Sequence, residues 1–144
     1  MSEKGYEFLD HISDVQARCW GLNLKEAFSQ AALSLFDTIT DIRKIDKNIS
    51  KSIQITAEDK ESLLFDFLSE FLYIFDTENL IFSEIKVINI DESQDGYMLN
   101  AQVIGDFFDL KKHSSGIEVK AITYSYMKIE EKKNKVIIEV IFDI

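Results

Sequence analysis

Residues 59–104 read DKESLLFDFLSEFLYIFDTENLIFSEIKVINIDESQDGYMLNAQVI, and the change of period inside this stretch decides the fold. In its first part Leu64, Phe67, Leu68, Phe71, Leu72 and Phe75 recur at intervals of three and four, so they fall on one face of a helix. Asp59 stands where such a helix needs an N-cap, a side chain that accepts a main-chain N–H of the first turn. A stripe of this kind reads as a core face packed on a sheet, not as a cofactor pocket. From Leu80 the pattern turns to strand. Segments 81–90 and 97–104 flank Asp95-Gly96, a dipeptide suited to tight hairpin turns because it tolerates positive φ.

Working outward, segments 121–130 and 135–142 flank the polar Lys132-Lys133-Asn134 and predict a last hairpin. Toward the start, the segment from Tyr6 to Asp10 is short and apolar. Residues 15–20 alternate apolar with polar, the mark of a half-buried strand. Asn23 is a good N-cap with Glu26 three residues on, as in a capping box. Leu24, Ala27, Phe28, Ala31, Leu35 and Ile39 then follow at helical spacing, with the helix ending near Asp41. Ile49, Ile53, Ile55 and Ala57 mark another strand. The order is strand, helix, strand, helix, then strands. This predicts an α+β fold, a mostly antiparallel sheet with two long amphipathic helices packed on one face. With no proline, five glycines and no Ser/Gly-rich linker, residues 1–144 read as a single domain.

The chain has 144 residues, 46% of them apolar, enough for a core without disulfides or metals. No run of about 18 apolar residues is present, so no membrane helix is expected. The N-terminus lacks the basic start and apolar stretch of a signal peptide, and a cytoplasmic protein is expected. The formal net charge is −10. Such a surface repels nucleic-acid phosphates and anionic membranes, so direct contact with either is not expected. A basic partner or a hard cation suits it better. The lone Cys19 can form no internal disulfide and reads as a buried small apolar residue.

Phosphate-binding glycine loops, nucleophile elbows and zinc-type clusters are absent, which leaves oxygen chemistry. Three places stand out. The turn Asp10-His11-Ile12-Ser13-Asp14 sets two carboxylates and an imidazole close together, where they could ligate Ca²⁺ or Mg²⁺ or simply cap the turn. The chain end, Ile141-Phe142-Asp143-Ile144, follows an apolar strand that would hold the Asp143 and terminal carboxylates side by side. The stretch 113–124 carries His113 and Glu118, an acid and a base in principle, and Lys120. From these residues alone, a metal-dependent phosphoester hydrolase using Asp10, Asp14 and Asp143, with His113, is the alternative to a binding module.

Those three places resemble the signature segments of the archease family. Members open with D-H-T-A-D-V, carry a segment close to E-V-K-A-I-T-Y, and stop at D-I. Here the corresponding residues are Asp10-His11-Ile12-Ser13-Asp14-Val15, then 118–124, then Asp143-Ile144. The helix start at 24–28 and the segment 109–113 also look like the family, so the resemblance covers nearly the whole chain. It implies an α+β fold and a protein that is not an enzyme. It implies an activator of the RtcB-type RNA ligase of tRNA splicing, one that promotes ligase guanylylation, multiple turnover and broader nucleotide use. It further implies a divalent cation, usually calcium, held by Asp14, Asp143 and the terminal carboxylate of Ile144. Members often place His after the T-Y, where this chain has Ser125, so no role of that histidine carries over.

Overall fold

The computed structural model describes residues 2–10 and 13–144. Strands β1 (Gly5–Leu9) and β2 (Val15–Gly21) lead into helix α1 (Leu24–Ile39) and a short 3₁₀ turn at Ile42–Lys44. Strand β3 (Ile49–Ala57) precedes helix α2 (Lys60–Glu78). Strands β4 (Leu80–Ser93), β5 (Gly96–Phe107), β6 (Ala121–Lys132) and β7 (Lys135–Asp143) complete the chain. The antiparallel α+β reading with two long helices holds, and its strands divide between two sheets. One has the order β1-β2-β7-β6 and the other β3-β5-β4.

Local chemistry explains the element ends. Asn23 Oδ1 accepts the Glu26 N–H at 3.0 Å, while the Glu26 carboxylate reaches one residue further back than a capping box does, accepting the Leu22 N–H at 2.8 Å. Asp59 and Ser62 form a reciprocal capping box on α2. That helix stops at Asn79, which takes the left-handed conformation with φ 58. The β4–β5 hairpin turns at Gln94-Asp95, one residue earlier than the Asp95-Gly96 expected, and Gly96 opens β5 at φ 127, where an added Cβ would lie 2.3 Å from the Ala57 carbonyl oxygen. Glycine is required there by both the dihedral and the space.

The core explains why α1 is buried well beyond one stripe. This helix packs on β2 of one sheet and β4 of the other, whereas α2 packs on β6 and β3. A helix held between two sheets has little face left for water, so Ser29, Gln30, Ser34 and Thr38 of α1 are buried along with its apolar residues. Phe36 of α1, Phe71 of α2 and Phe82 of β4 meet edge to face, with centroids 5.4–5.8 Å apart. Cys19 is fully buried under α1, its Sγ 3.8 Å from Ser34 Oγ, and burial pushes the thiol up to about 12, so it is a packing residue and not a nucleophile.

Truncating the aromatic junction should cost more than any surface change. Phe71→Ala is expected to lower the unfolding free energy by about 3–5 kcal/mol in urea titration. The α2 cap has its own pH signature. Its main-chain bond from Ser62, and then the Ser62 hydroxyl, hold the Asp59 carboxyl below the usual range. That stabilisation is present above the ordinary carboxylate pKa and is lost as pH falls through the depressed one. The stability gap between the native chain and Asp59→Ala should therefore narrow in acid. A gap independent of pH from 7 down to about 2 would mean the carboxylate is not what caps the helix.

Candidate functional site

The ladder between β2 and β7 ends with Val15 opposite Phe142. Asp14, in the bend before β2, and Asp143, the last residue of β7, are the next residues beyond that pair. Phe142 is fully buried and Asp143 is exposed, as alternation along a strand requires. Val136, Ile138 and Val140 are buried on the same inward face as Phe142, so the strand that carries Asp143 is anchored almost to its end. Like charges brought close together are unfavourable unless a cation offsets them.

A third strand reaches the same end. Ala121 pairs with Asp143, and the Lys120 N–H donates to the Asp143 carbonyl at 2.7 Å. The irregular segment before it is fastened to the end of α1. Gly116 N–H donates to the Ile39 carbonyl and Ile117 N–H to the Thr38 carbonyl, both at 2.9 Å, and Thr40 Oγ1 donates to the Ser114 carbonyl at 2.7 Å. These bonds occupy helix carbonyls that have no intrahelical partner. A Cβ at Gly116 would lie 2.6 Å from the Thr38 oxygen, so this close latch needs glycine. The latch delivers residues 118–124 to the edge of β7.

The groups near this end of the ladder are hard-oxygen ones, the Asp14 and Asp143 carboxylates. Among the described residues no three His, Cys, Asp or Glu side chains come together closely enough to hold a metal. His11 and Ile12 of the first candidate turn lie outside the described residues; Asp10 is exposed at the end of β1.

The third candidate place separates into different roles. His113 is 1% exposed and stacks on Phe108 with centroids 5.7 Å apart. Its Nδ1 accepts the Asp109 N–H at 2.9 Å, and its Nε2 is buried without a partner among the described residues. An acid–base pair with the exposed Glu118 is not formed, because the ring is committed to the core beneath the segment. What the sequence did not reveal is a break in β6. The ladder passes from Thr123–Ile141 to Lys128–Glu139, leaving residues 124–127, Ser125 among them, opposite Val140 alone. Ile122, Tyr124 and Tyr126 keep the parity of an unbroken strand, so no local signal could have announced the bulge.

The model of the Archease protein family matches residues 6–144. A protein archease of Pyrococcus furiosus is 45% identical over 125 residues, covering 87% of each chain. One of Methanosarcina barkeri is 38% identical over 146 residues, covering 100% of each. The solution structure of protein 1598 of Methanobacterium thermoautotrophicum superposes with a TM-score of 0.82 at 34% identity, covering 97% of this chain and 99% of that one. A Thermotoga maritima crystal structure described as an archease and possible chaperone superposes at 0.59 and 19% identity, over 94% of both chains, a likeness of fold. By family model, by relatives matched along their full length and by fold, this chain belongs to the archease family.

Proposed function

We propose that this protein is a non-enzymatic activator of an RtcB-type tRNA-splicing RNA ligase, promoting its guanylylation and multiple turnover and broadening its nucleotide use. The observation that carries the reading is family membership along the chain, combined with Asp14 and Asp143 standing beyond the same end of the first sheet's central ladder. A ligase that binds RNA and nucleotide needs a basic mouth, and an activator of net charge −10 is steered toward it. The same charge disfavours direct binding to RNA or to an anionic membrane. Among the described residues no helix is long and apolar enough to cross a membrane.

In this proposal Asp14, Asp143 and the Ile144 terminal carboxylate hold a divalent cation, with calcium the expected ion. When bound, the ion offsets the repulsion of carboxylates brought together. The chain's own part is positional. Strand β7 fixes Asp143, β2 brings Asp14 near it, and Lys120 joins the start of β6 to the same point by its main chain. To activate, the protein must bind one state of the ligase better than the other, since equal affinity shifts nothing.

The primary test is ligation by an RtcB-type ligase with excess RNA, GTP and a divalent metal. Product should exceed one per ligase only when this protein is present, and Asp14→Ala and Asp143→Ala should each lose most of the stimulation. Unchanged turnover with a cognate ligase overturns the activator reading, and phosphoester cleavage that vanishes in Asp14→Ala would put the hydrolase in its place. Calcium binding by calorimetry tests the donor set separately. Asp143→Ala and a short extension after Ile144 should each weaken it by about tenfold or more. Normal binding by the extended chain would remove the terminal carboxylate from the site.

A further inference from the structure

Strand β6 is the outer strand of its sheet, so one of its edges has no neighbouring strand. The bulge at 124–127 lies on it and turns side chains out of the pleat. Tyr124 is 51% exposed and Tyr126 is 77% exposed, the latter at φ 56, an unfavourable conformation for a bulky side chain. One face of the Tyr124 ring is stacked on Phe65 of α2, with centroids 4.2 Å apart and planes 5° from parallel. The ring is only half covered, so its other face looks outward. Acids border it. Partial burial first, then the charges of Asp66, next to Phe65 in α2, and of Asp59, the N-cap of that helix, raise the Tyr124 phenol above its ordinary value. Asp66 is exposed and, among the described residues, has no ion-pair partner.

The same surface shows what such a combination attracts. Nearby, Lys60 sits over the Tyr97 ring with Nζ 5.8 Å from the centroid, and it also pairs with Glu131. There a ring and a carboxylate are filled by a cation of the chain itself. At Tyr124 the ring and the carboxylate are present and, among the described residues, no cation is paired with them.

We propose that Tyr124, backed by Phe65 and flanked by Asp66, is the seat for an arginine side chain on the surface of this protein's partner. Arginine is favoured over lysine because a planar guanidinium can stack on a flat ring and still direct N–H donors at a carboxylate beside it. The seat lies on the edge of the acid end. Ala121 is opposite Asp143, and Tyr124 is three residues on, about 10 Å at the strand rise. The Tyr124 ring lies on the helix side of the sheet and Asp143 on the other, so a partner surface reaches both by wrapping this edge. The partner's identity rests on the ligase reading above; the contact surface is the addition.

The test titrates the full chain into multiple-turnover ligation by an RtcB-type ligase and, in parallel, measures binding to that ligase by calorimetry. Tyr124→Leu keeps an apolar contact to Phe65 without the ring, Tyr124→Phe keeps the ring, and Asp66→Asn removes the charge at an exposed position away from the core. Tyr124→Leu and Asp66→Asn should raise the dissociation constant about tenfold, and Tyr124→Phe by no more than about twofold. The loss should shrink at high salt. Native-like binding by both Tyr124→Leu and Asp66→Asn overturns the seat while leaving the activator reading intact. An equal loss in Tyr124→Phe and Tyr124→Leu also overturns it, because the ring face would then not be what binds. If the native chain neither binds nor activates the ligase, the activator reading falls and takes the seat with it.

Discussion

The antiparallel ladder between β2 and β7 joins the beginning of the chain to its end, from Val15–Phe142 to Gly21–Val136. These are the two inner strands of a four-stranded sheet, so β1 and β6 each have one attachment, and that attachment is to this pair. The ladder also carries the inward row of Ala17, Cys19, Ile138, Val140 and Phe142, on which α1 lies. Its partners are more than a hundred residues apart in sequence, so its formation closes a loop containing almost everything else. Such a contact is slow to form and is rewarded only once the helices have collapsed onto it. The acid end is a consequence of this closure, because Asp14 and Asp143 are neighbours only when the register is right.

The second sheet depends on the helices to reach the first. Phe36, Phe71 and Phe82 come from α1, α2 and β4, and their edge-to-face contacts are where the three bodies meet. Helix α1 has a further task at its C-terminus. Its last carbonyls are occupied by Gly116 and Ile117, and this fixes the direction in which the chain enters β6. The packing of the core and the placement of the candidate site are therefore linked through one helix end.

Much of this was legible in the sequence because it is local. Helix faces, the Asn23 and Asp59 caps and the Asp95-Gly96 and Lys132-Lys133-Asn134 hairpins each follow from residues within a few positions of one another. Pairings at long range were not legible in the same way. Nothing near Val15 specifies Phe142 as its partner, and nothing in the strand pattern divides seven strands between two sheets. Asp14 and Asp143 were singled out by their chemistry and by resemblance; the register that brings them together is a property of the fold. His113 misled for a related reason. Its type suggests acid–base work, while its surroundings, Phe108 and the Asp109 N–H, make it a packed ring. Tyr124 went unrecognised because its contact, Phe65, lies on a helix almost sixty residues earlier.

Charge along the central ladder distinguishes its middle from its end. Arg18 faces Glu139 across β2 and β7 and Glu7 across β1 and β2, with Nη–Oε distances of 2.9 and 3.3 Å. Asp143, four residues after Glu139, shares the outer face of the sheet with it and Arg18, and Asp14 stands in the bend before β2. The row of opposite charges in the middle gives way, four residues on, to like charges. Exposed pairs of either kind change stability little, so the arrangement is not explained by folding. In the proposed role the carboxylates near this strand end add their potentials, and a cation brought there would meet oxygen ligands held by the sheet. The unfavourable φ of Tyr126 lies on the same edge. In the proposed function this edge engages an ion and a basic partner, and backbone strain of the kind held at Tyr126 clusters at such binding sites.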